Sequence, residues 1–206
     1  MGALGHGPRA GAGSVSRYVW ALRRALASPG RARLELEGGR PAAVLVPIYR
    51  PGDEDLLVLT RRTEEVEYHK GQISFPGGAA DPEDDDPVAT ALRESAEEIG
   101  LEPRDVEVLG LLDDVLVSHS GFRVTPVAGV VRPGPYRFVP SPAEVAEIVT
   151  VPVEWLLEPG HEQVGHSPSG RPSYAYEHGE HFIWGATGRI IHSLLETIRR
   201  GLAPVA

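Results

Sequence analysis

The stretch "TALRESAEEIG", residues 90–100, decides how the chain is read. It places Glu94, Glu97 and Glu98 at spacings of three and four, positions that face one another on a helix. Like charges at i,i+4 cost a helix roughly 0.2–0.5 kcal/mol per pair. The glutamates also crowd toward the C-terminal end, where the macrodipole favours cations. A helix over 87–99 is nevertheless well specified. Asp86 suits the N-cap, Pro87 the first helical position and Gly100 the left-handed stop. At about 100° per residue, Val88, Leu92, Ala96 and Ile99 form one apolar face, flanked by Ala89 and Ser95. Glu94, Glu97 and Glu98 gather opposite, with Arg93 beside them. An ordinary solvated face would set lysine four residues after glutamate. The local conflict points to a function that overrides stability. Oxygen ligands alone on one rigid face select a hard cation, Mg2+ or Mn2+, rather than zinc. Gly77 and Gly78 upstream let backbone approach a cation or a phosphate with no Cβ in the way.

The flanking segments predict an α/β domain. Residues 1–13 are Gly-rich and aperiodic, the pattern of a flexible tail. Ser14 suits an N-cap, and Val15, Tyr18, Val19, Leu22 and Leu26 make one apolar stripe that "SPGR" (28–31) ends. Residues 14–40 read as an N-terminal helical extension of a single domain over 14–206. "AAVLVPIYR" (42–50) and "DLLVLTRR" (55–62) read as buried strands, and "GQISFPGG" (71–78) as a short strand entering a glycine turn. "DPEDDDP" (81–87) is an acidic loop. Strands are predicted over 106–118 and 122–131, then a strand and short helix over 147–158 with Pro152 near the helix start. A hairpin is predicted over 173–185. The last helix, 187–201, carries Ile190, Ile191, Leu194, Leu195 and Ile198 at helical spacing, with Gly201 as its C-cap. Strands and helices mix without regular βαβ alternation, so the expectation is a mixed sheet covered by helices.

The chain has 206 residues, 41% of them hydrophobic and 24% charged, enough for one well-buried domain. No run approaches the roughly 18 apolar residues of a membrane span. The N-terminus has no apolar core followed by a small-residue cleavage site, so no signal peptide is expected and the cytoplasm is the expected compartment. The absence of cysteine excludes disulfides, thiolate metal sites and cysteine nucleophiles. The formal net charge of −9 opposes a nucleic-acid backbone as the main partner. A small phosphate-bearing substrate on so acidic a protein needs local arginines and a divalent cation to offset the field.

"GGAADPEDDDPVATALRESAEEIGL" resembles the Nudix box, Gly–x5–Glu–x7–Arg-Glu-U-x-Glu-Glu-x-Gly-U, where U is aliphatic. Arg93, Glu94, Glu97, Glu98, Gly100 and Leu101 supply its second half. Ser95 stands at the aliphatic position after Arg-Glu. Asp85 stands for the early Glu, seven residues before Arg93 and one residue further than usual from Gly78. That insertion resembles the variant found in coenzyme A pyrophosphatases. Upstream, "LTRRTEEVEYHKGQISFPGG" is similar to that subfamily's signature, with Leu59, Thr60, Arg62, Gly71, Phe75, Pro76, Gly77 and Gly78 in register. Glu67 stands where the signature has arginine, a reversal of charge. The resemblance spans most of residues 42–200.

The resemblance implies an α/β/α sandwich with the box as loop–helix–loop, and hydrolysis of a nucleoside diphosphate linked to another group. It implies that Glu94 and Glu98 bind Mg2+ or Mn2+, with Glu97 as a third ligand or a base for water and the Gly77 carbonyl as a further ligand. Arg93 would orient the glutamates, with Asp85 as its ion-pair partner or an outer ligand. A base on a later loop is offered by Glu144 or Glu147. Arg62 and Gly78 are candidates to meet a phosphate. For Arg62 the alternative is a surface pair with Glu64 or Glu65. Phe122 and Tyr136 suit either stacking on adenine or filling the core. His69 and His119 read as loop histidines, and His178 and His181 as turn residues rather than a metal site. The implied partner is a small nucleotide, coenzyme A first. Glu67 keeps open an ADP-ribose or dinucleoside polyphosphate pyrophosphatase. A non-catalytic Nudix-fold binding module is the third class, and the intact Arg-Glu-x-x-Glu-Glu core speaks against it. Homodimers are common in the wider superfamily, and nothing in the sequence marks an interface.

Overall fold

The computed structural model describes residues 16–27, 30–34, 39–63, 71–117, 121–167, 170 and 172–204. The Gly-rich segment 1–13, Ser14, Val15, Glu64, Glu65, Glu67, His69 and His119 lie outside the described residues. In chain order the first elements are α1 (Arg17–Leu26), β1 (Arg40–Tyr49), β2 (Leu56–Arg62), β3 (Ile73–Ser74), β4 (Gly77–Ala79) and α2 (Pro87–Ile99). Then follow β5 (Val106–Leu111), β6 (Val115–Val117), β7 (Phe122–Val131), β8 (Val145–Pro152) and α3 (Val153–Leu157). The chain closes with β9 (Glu162–His166), β10 (Pro172–His178), β11 (His181–Ile183) and α4 (Gly185–Leu202).

The main sheet has the order β3-β2-β1-β7-β5, with β4 added to β1, β6 to β7 and β8 to β2. β1 and β7 run parallel from Arg40–Phe122 to Ile48–Val130, while β1 pairs antiparallel with β2 and β4. The sheet is therefore mixed. β1 is apolar along nearly its whole length because both faces are covered. On one face Ala43, Leu45, Val58, Val127 and Val131 meet Ala91 and Ile99 of α2. On the other, Val46, Ile48, Leu57, Leu59 and Ala128 meet Tyr18 and Leu22 of α1 and Ile191, Leu194 and Ile198 of α4. Each fully buried aliphatic side chain stabilises the domain by roughly 1.5–3 kcal/mol. The result is the expected α/β/α sandwich. β9, β10 and β11 form a separate antiparallel sheet.

Several local expectations are corrected. The N-cap of α1 is Ser16, whose Oγ accepts from the Tyr18 and Val19 amides at 3.1 and 3.2 Å and donates to buried Asp55. The strand expected over 106–118 is broken at 112–114, because two carboxylates there hold a distant segment. Asp113 accepts from the Ala32 amide at 2.7 Å, and Asp114 accepts from Arg31, the Leu34 amide and Thr125. Gly201 does not stop α4, which runs on to Leu202. It is a crossing point instead, since a Cβ there would lie 2.0 Å from the Ala21 carbonyl oxygen of α1. β9 is a strand that its sequence does not signal, because it carries no clear apolar alternation.

Candidate active site

The site begins with the β4 ribbon. It pairs with β1 through Gly77–Val44 and Gly78–Ala43 and lies along α2. The two glycines are held differently, Gly77 against backbone and Gly78 against a side chain. Gly77 has φ +151°, and a Cβ on it would come within 2.4 Å of the Ala43 carbonyl oxygen. A Cβ on Gly78 would lie 2.5 Å from the Glu94 carboxylate. The ribbon thus packs directly on the acidic side of α2. The helix itself is built as its caps predict, with Asp86 Oδ1 accepting from the Val88 and Ala89 amides and Gly100 at φ 65°.

The ribbon changes the expected acidic face. Rather than three glutamates turned away from the core, Glu98 is buried at 3% exposure, Glu94 is part-buried and Glu97 is exposed. Gly77 N donates to Glu98 Oε2 at 3.2 Å. Burial pushes the Glu98 carboxyl up to about 7, against the opposing pull of that amide and of Arg62. Burial raises Glu94 as well, opposed by Arg93. Ser95, at the box's aliphatic position, is fully buried, and its hydroxyl is satisfied within the helix by the Ala91 carbonyl at 2.6 Å.

Arg93 organises this cluster. Its Nη1 donates to Glu94 Oε1 at 3.0 Å and Glu97 Oε2 at 3.3 Å. Its Nε and Nη2 grip both oxygens of Asp84 at 3.1 and 3.0 Å, and Nη2 also reaches the Ala79 carbonyl at 3.1 Å. The paired hydrogen bonds from Arg93 hold the Asp84 carboxyl well below the usual range. The partner of Arg93 is therefore Asp84, not Asp85 as expected. Asp84 keeps the box's five-residue interval from Gly78, so the extra residue falls between the acid and the helix. That interval, read from the glycine side, is the signal that identifies it.

Arg62 ends β2 just past an irregularity in register with β8 at Arg61/Arg62. Its Nη1 lies 3.7 Å from Glu98 Oε1, and its buried Nε has no hydrogen-bond partner. Arg61 pairs with Glu147 at 2.9 Å, and Glu147 also lies 3.7 Å from His181. Glu147 is thereby committed elsewhere. Glu144 is exposed on a loop tied to the end of α2, where the Ser141 amide donates to the Glu98 carbonyl at 2.8 Å. The Glu144 charge acts on both Glu94 and Glu98. The structure thus brings together Arg62, Gly77, Gly78, Arg93, Glu94, Glu97, Glu98 and Glu144. Phe122 is placed on the α1/α4 side of the sheet, beneath Arg40 at 4.5 Å. Tyr136 fills the α2-side core beside Phe138, and its hydroxyl donates to the Gly100 carbonyl at 3.1 Å. His178 packs edge-on against Trp155.

The donor set suits a hard divalent cation. It offers carboxylate oxygens, two of them on residues that burial makes reluctant to ionise alone, under a ribbon stripped of Cβ atoms. Among the described residues no three acidic or imidazole side chains already converge as a finished cage. Arg93 pairs with Glu94 and Glu97, and Arg62 lies against Glu98.

Residues 39–168 match the NUDIX domain. The chain belongs to the Nudix hydrolase family, whose members generally need divalent metal ions. It is 40% identical over 190 residues to an uncharacterized Nudix hydrolase, NudL, of Photorhabdus laumondii, covering 90% of this chain and 98% of that protein. With its namesake from Pectobacterium atrosepticum it shares 42% identity over 163 residues, 75% of this chain and 81% of the relative. A MutT/nudix family protein from Enterococcus faecalis has a similar fold, with TM-score 0.53 at 15% identity over 82% of this chain and 66% of its own. Among the described residues no helix is long and apolar enough to cross a membrane.

Proposed function

We propose that this Nudix hydrolase is a Mg2+- or Mn2+-dependent pyrophosphohydrolase of coenzyme A, releasing 3′,5′-ADP and 4′-phosphopantetheine. The observation that carries the reading is the meeting of the upstream signature and the box on one carboxylate. Gly77 N and Arg62 Nη1, both signature positions, reach Glu98. Four other signature residues support the strands and turn that lead into the ribbon. Leu59 and Phe75 are buried, Thr60 Oγ1 donates to the Ser74 carbonyl at 3.3 Å, and the Pro76 carbonyl accepts from Leu45 at 2.8 Å.

Glu94 and Glu98, with Glu97 and the Gly77 carbonyl, would hold the cation. When bound, it would neutralise pyrophosphate charge and lower the pKa of a water so that it can be deprotonated to the attacking hydroxide. Arg93 keeps Glu94 and Glu97 oriented while Asp84 holds Arg93. Glu144, exposed and close enough to be felt by Glu94 and Glu98, would take the proton from water. Arg62 and the open backbone at Gly78 face the phosphates. The charge reversal at Glu67 supports ADP-ribose or a dinucleoside polyphosphate as the competing substrate.

The test offers coenzyme A, ADP-ribose and diadenosine polyphosphates, each with Mg2+, Mn2+ or EDTA, and identifies the products. Coenzyme A should be cleaved fastest, and only with a cation. Faster cleavage of ADP-ribose would overturn the substrate, and no turnover of any would overturn the reading.

A further inference from the structure

Among the described residues two arginines lie against the glutamates of α2, and they are held very differently. Arg93 is anchored on its far side by both oxygens of Asp84 and by the Ala79 carbonyl. It cannot leave without breaking that clamp. Among the described residues Arg62 has no such anchor. Its contact with Glu98 Oε1 is 3.7 Å, beyond hydrogen-bond length, and its Nε is the one buried side-chain donor without a hydrogen-bond partner among the described residues. A buried donor left unpaired is costly, and a site keeps one where a ligand completes it. Glu98 in turn is buried, and among the described residues its carboxylate receives one hydrogen bond, from the Gly77 amide.

We propose that Arg62 is the resident counter-ion of Glu98, yielding that carboxylate when a divalent cation binds and turning its guanidinium to the substrate's phosphate. The inference rests on Glu98 being a cation ligand. A guanidinium and a divalent cation on one carboxylate repel each other, strongly so in a site shielded from water. The planar fork matches a phosphate bidentately, which supplies the partner Nε lacks. Cation and phosphate ligand then favour one another reciprocally, because each needs Arg62 away from Glu98.

The experiment measures Mn2+ binding to the substrate-free protein by electron paramagnetic resonance of free Mn2+. Wild type is compared with Arg62→Gln, Arg62→Lys and Glu98→Gln, each with its melting curve. Arg62→Gln should bind Mn2+ more tightly, on the order of fivefold or more. It should also raise KM for the better of coenzyme A and ADP-ribose, with kcat changed less. Arg62→Lys, which keeps the charge, should stay near wild type in Mn2+ affinity and serves as the comparison if the Gln variant misfolds. Unchanged or weaker Mn2+ binding in Arg62→Gln, while Glu98→Gln still weakens it, would overturn the counter-ion role and leave the cation site standing. Unchanged Mn2+ binding in Glu98→Gln would instead overturn the cation site on which the proposal rests.

Discussion

Glu98 presents a carboxylate to a site with 3% exposure, and burial lifts its pKa to about 7 from 4.5. The sign of the resulting pH dependence is fixed. The folded state holds this proton where the unfolded chain has lost it, so in the cation-free protein stability falls as pH rises from about 4.5 through about 7. The loss is on the order of 3 kcal/mol. Glu98→Gln removes the titrating group. In EDTA, its urea midpoint should exceed that of wild type at pH 8 and match it near pH 5, while activity with cation falls at least about a hundredfold. A variant less stable than wild type at pH 8 would mean the carboxylate is structural. Asp84 gives a second residue-level prediction. Asp84→Ala frees the far side of Arg93 and should lower kcat by about ten- to hundredfold, as loss of an outer partner does. Asp85→Ala should leave kcat within about twofold. Equal effects of the two would contradict the assignment of Asp84.

The pairing of β4 with α2 makes a prediction about the two glycines. Gly77→Ala drives a methyl group into the backbone of β1, at a φ that L-residues rarely adopt, and should cost about 1–3 kcal/mol or more in a melting experiment. Gly78→Ala meets only the end of the Glu94 side chain, which can swing away. It should therefore melt within a few degrees of wild type yet lose most activity. Comparable destabilisation by both would show that Glu94 is rigidly seated. The same pairing explains what the sequence could and could not reveal. Helix 87–99 was legible because Asp86, Pro87 and Gly100 act within the helix. The burial of Glu98 was not, since a helical wheel knows nothing of a ribbon twenty residues upstream. Asp113 and Asp114 sit in an apolar run that reads as one strand. They break it for partners at 31–34, eighty residues away. Gly201 looks like a stop until α1 is seen lying against it.

Across the whole molecule, the family domain of residues 39–168 does not contain the helices that close its second core. α1 precedes it and α4 follows it, and together they cover the face of the sheet opposite the site. That face includes Leu57 and Leu59 of β2, the strand that ends at Arg62. The N-terminal extension is therefore expected to fold with the domain rather than beside it. Deleting residues 1–34 removes Tyr18, Val19 and Leu22 from the core, each worth roughly 1.5–3 kcal/mol. It also takes Arg31 from the nearly closed Asp114 carboxylate, a buried charge that is costly to leave unpaired. Against a usual domain stability of about 5–15 kcal/mol, the truncated chain should be unfolded or aggregated at 37 °C. Leu22→Ala provides the graded version. It should cost about 2–5 kcal/mol and lower the melting temperature by about 5–15 °C, with kcat per folded molecule nearly unchanged because α1 does not touch the site. A truncated protein that melts like wild type would show that α1 is an ornament on the sheet. A Leu22→Ala protein that is stable but slow would instead show that the far core sets the geometry of Arg62 through β2.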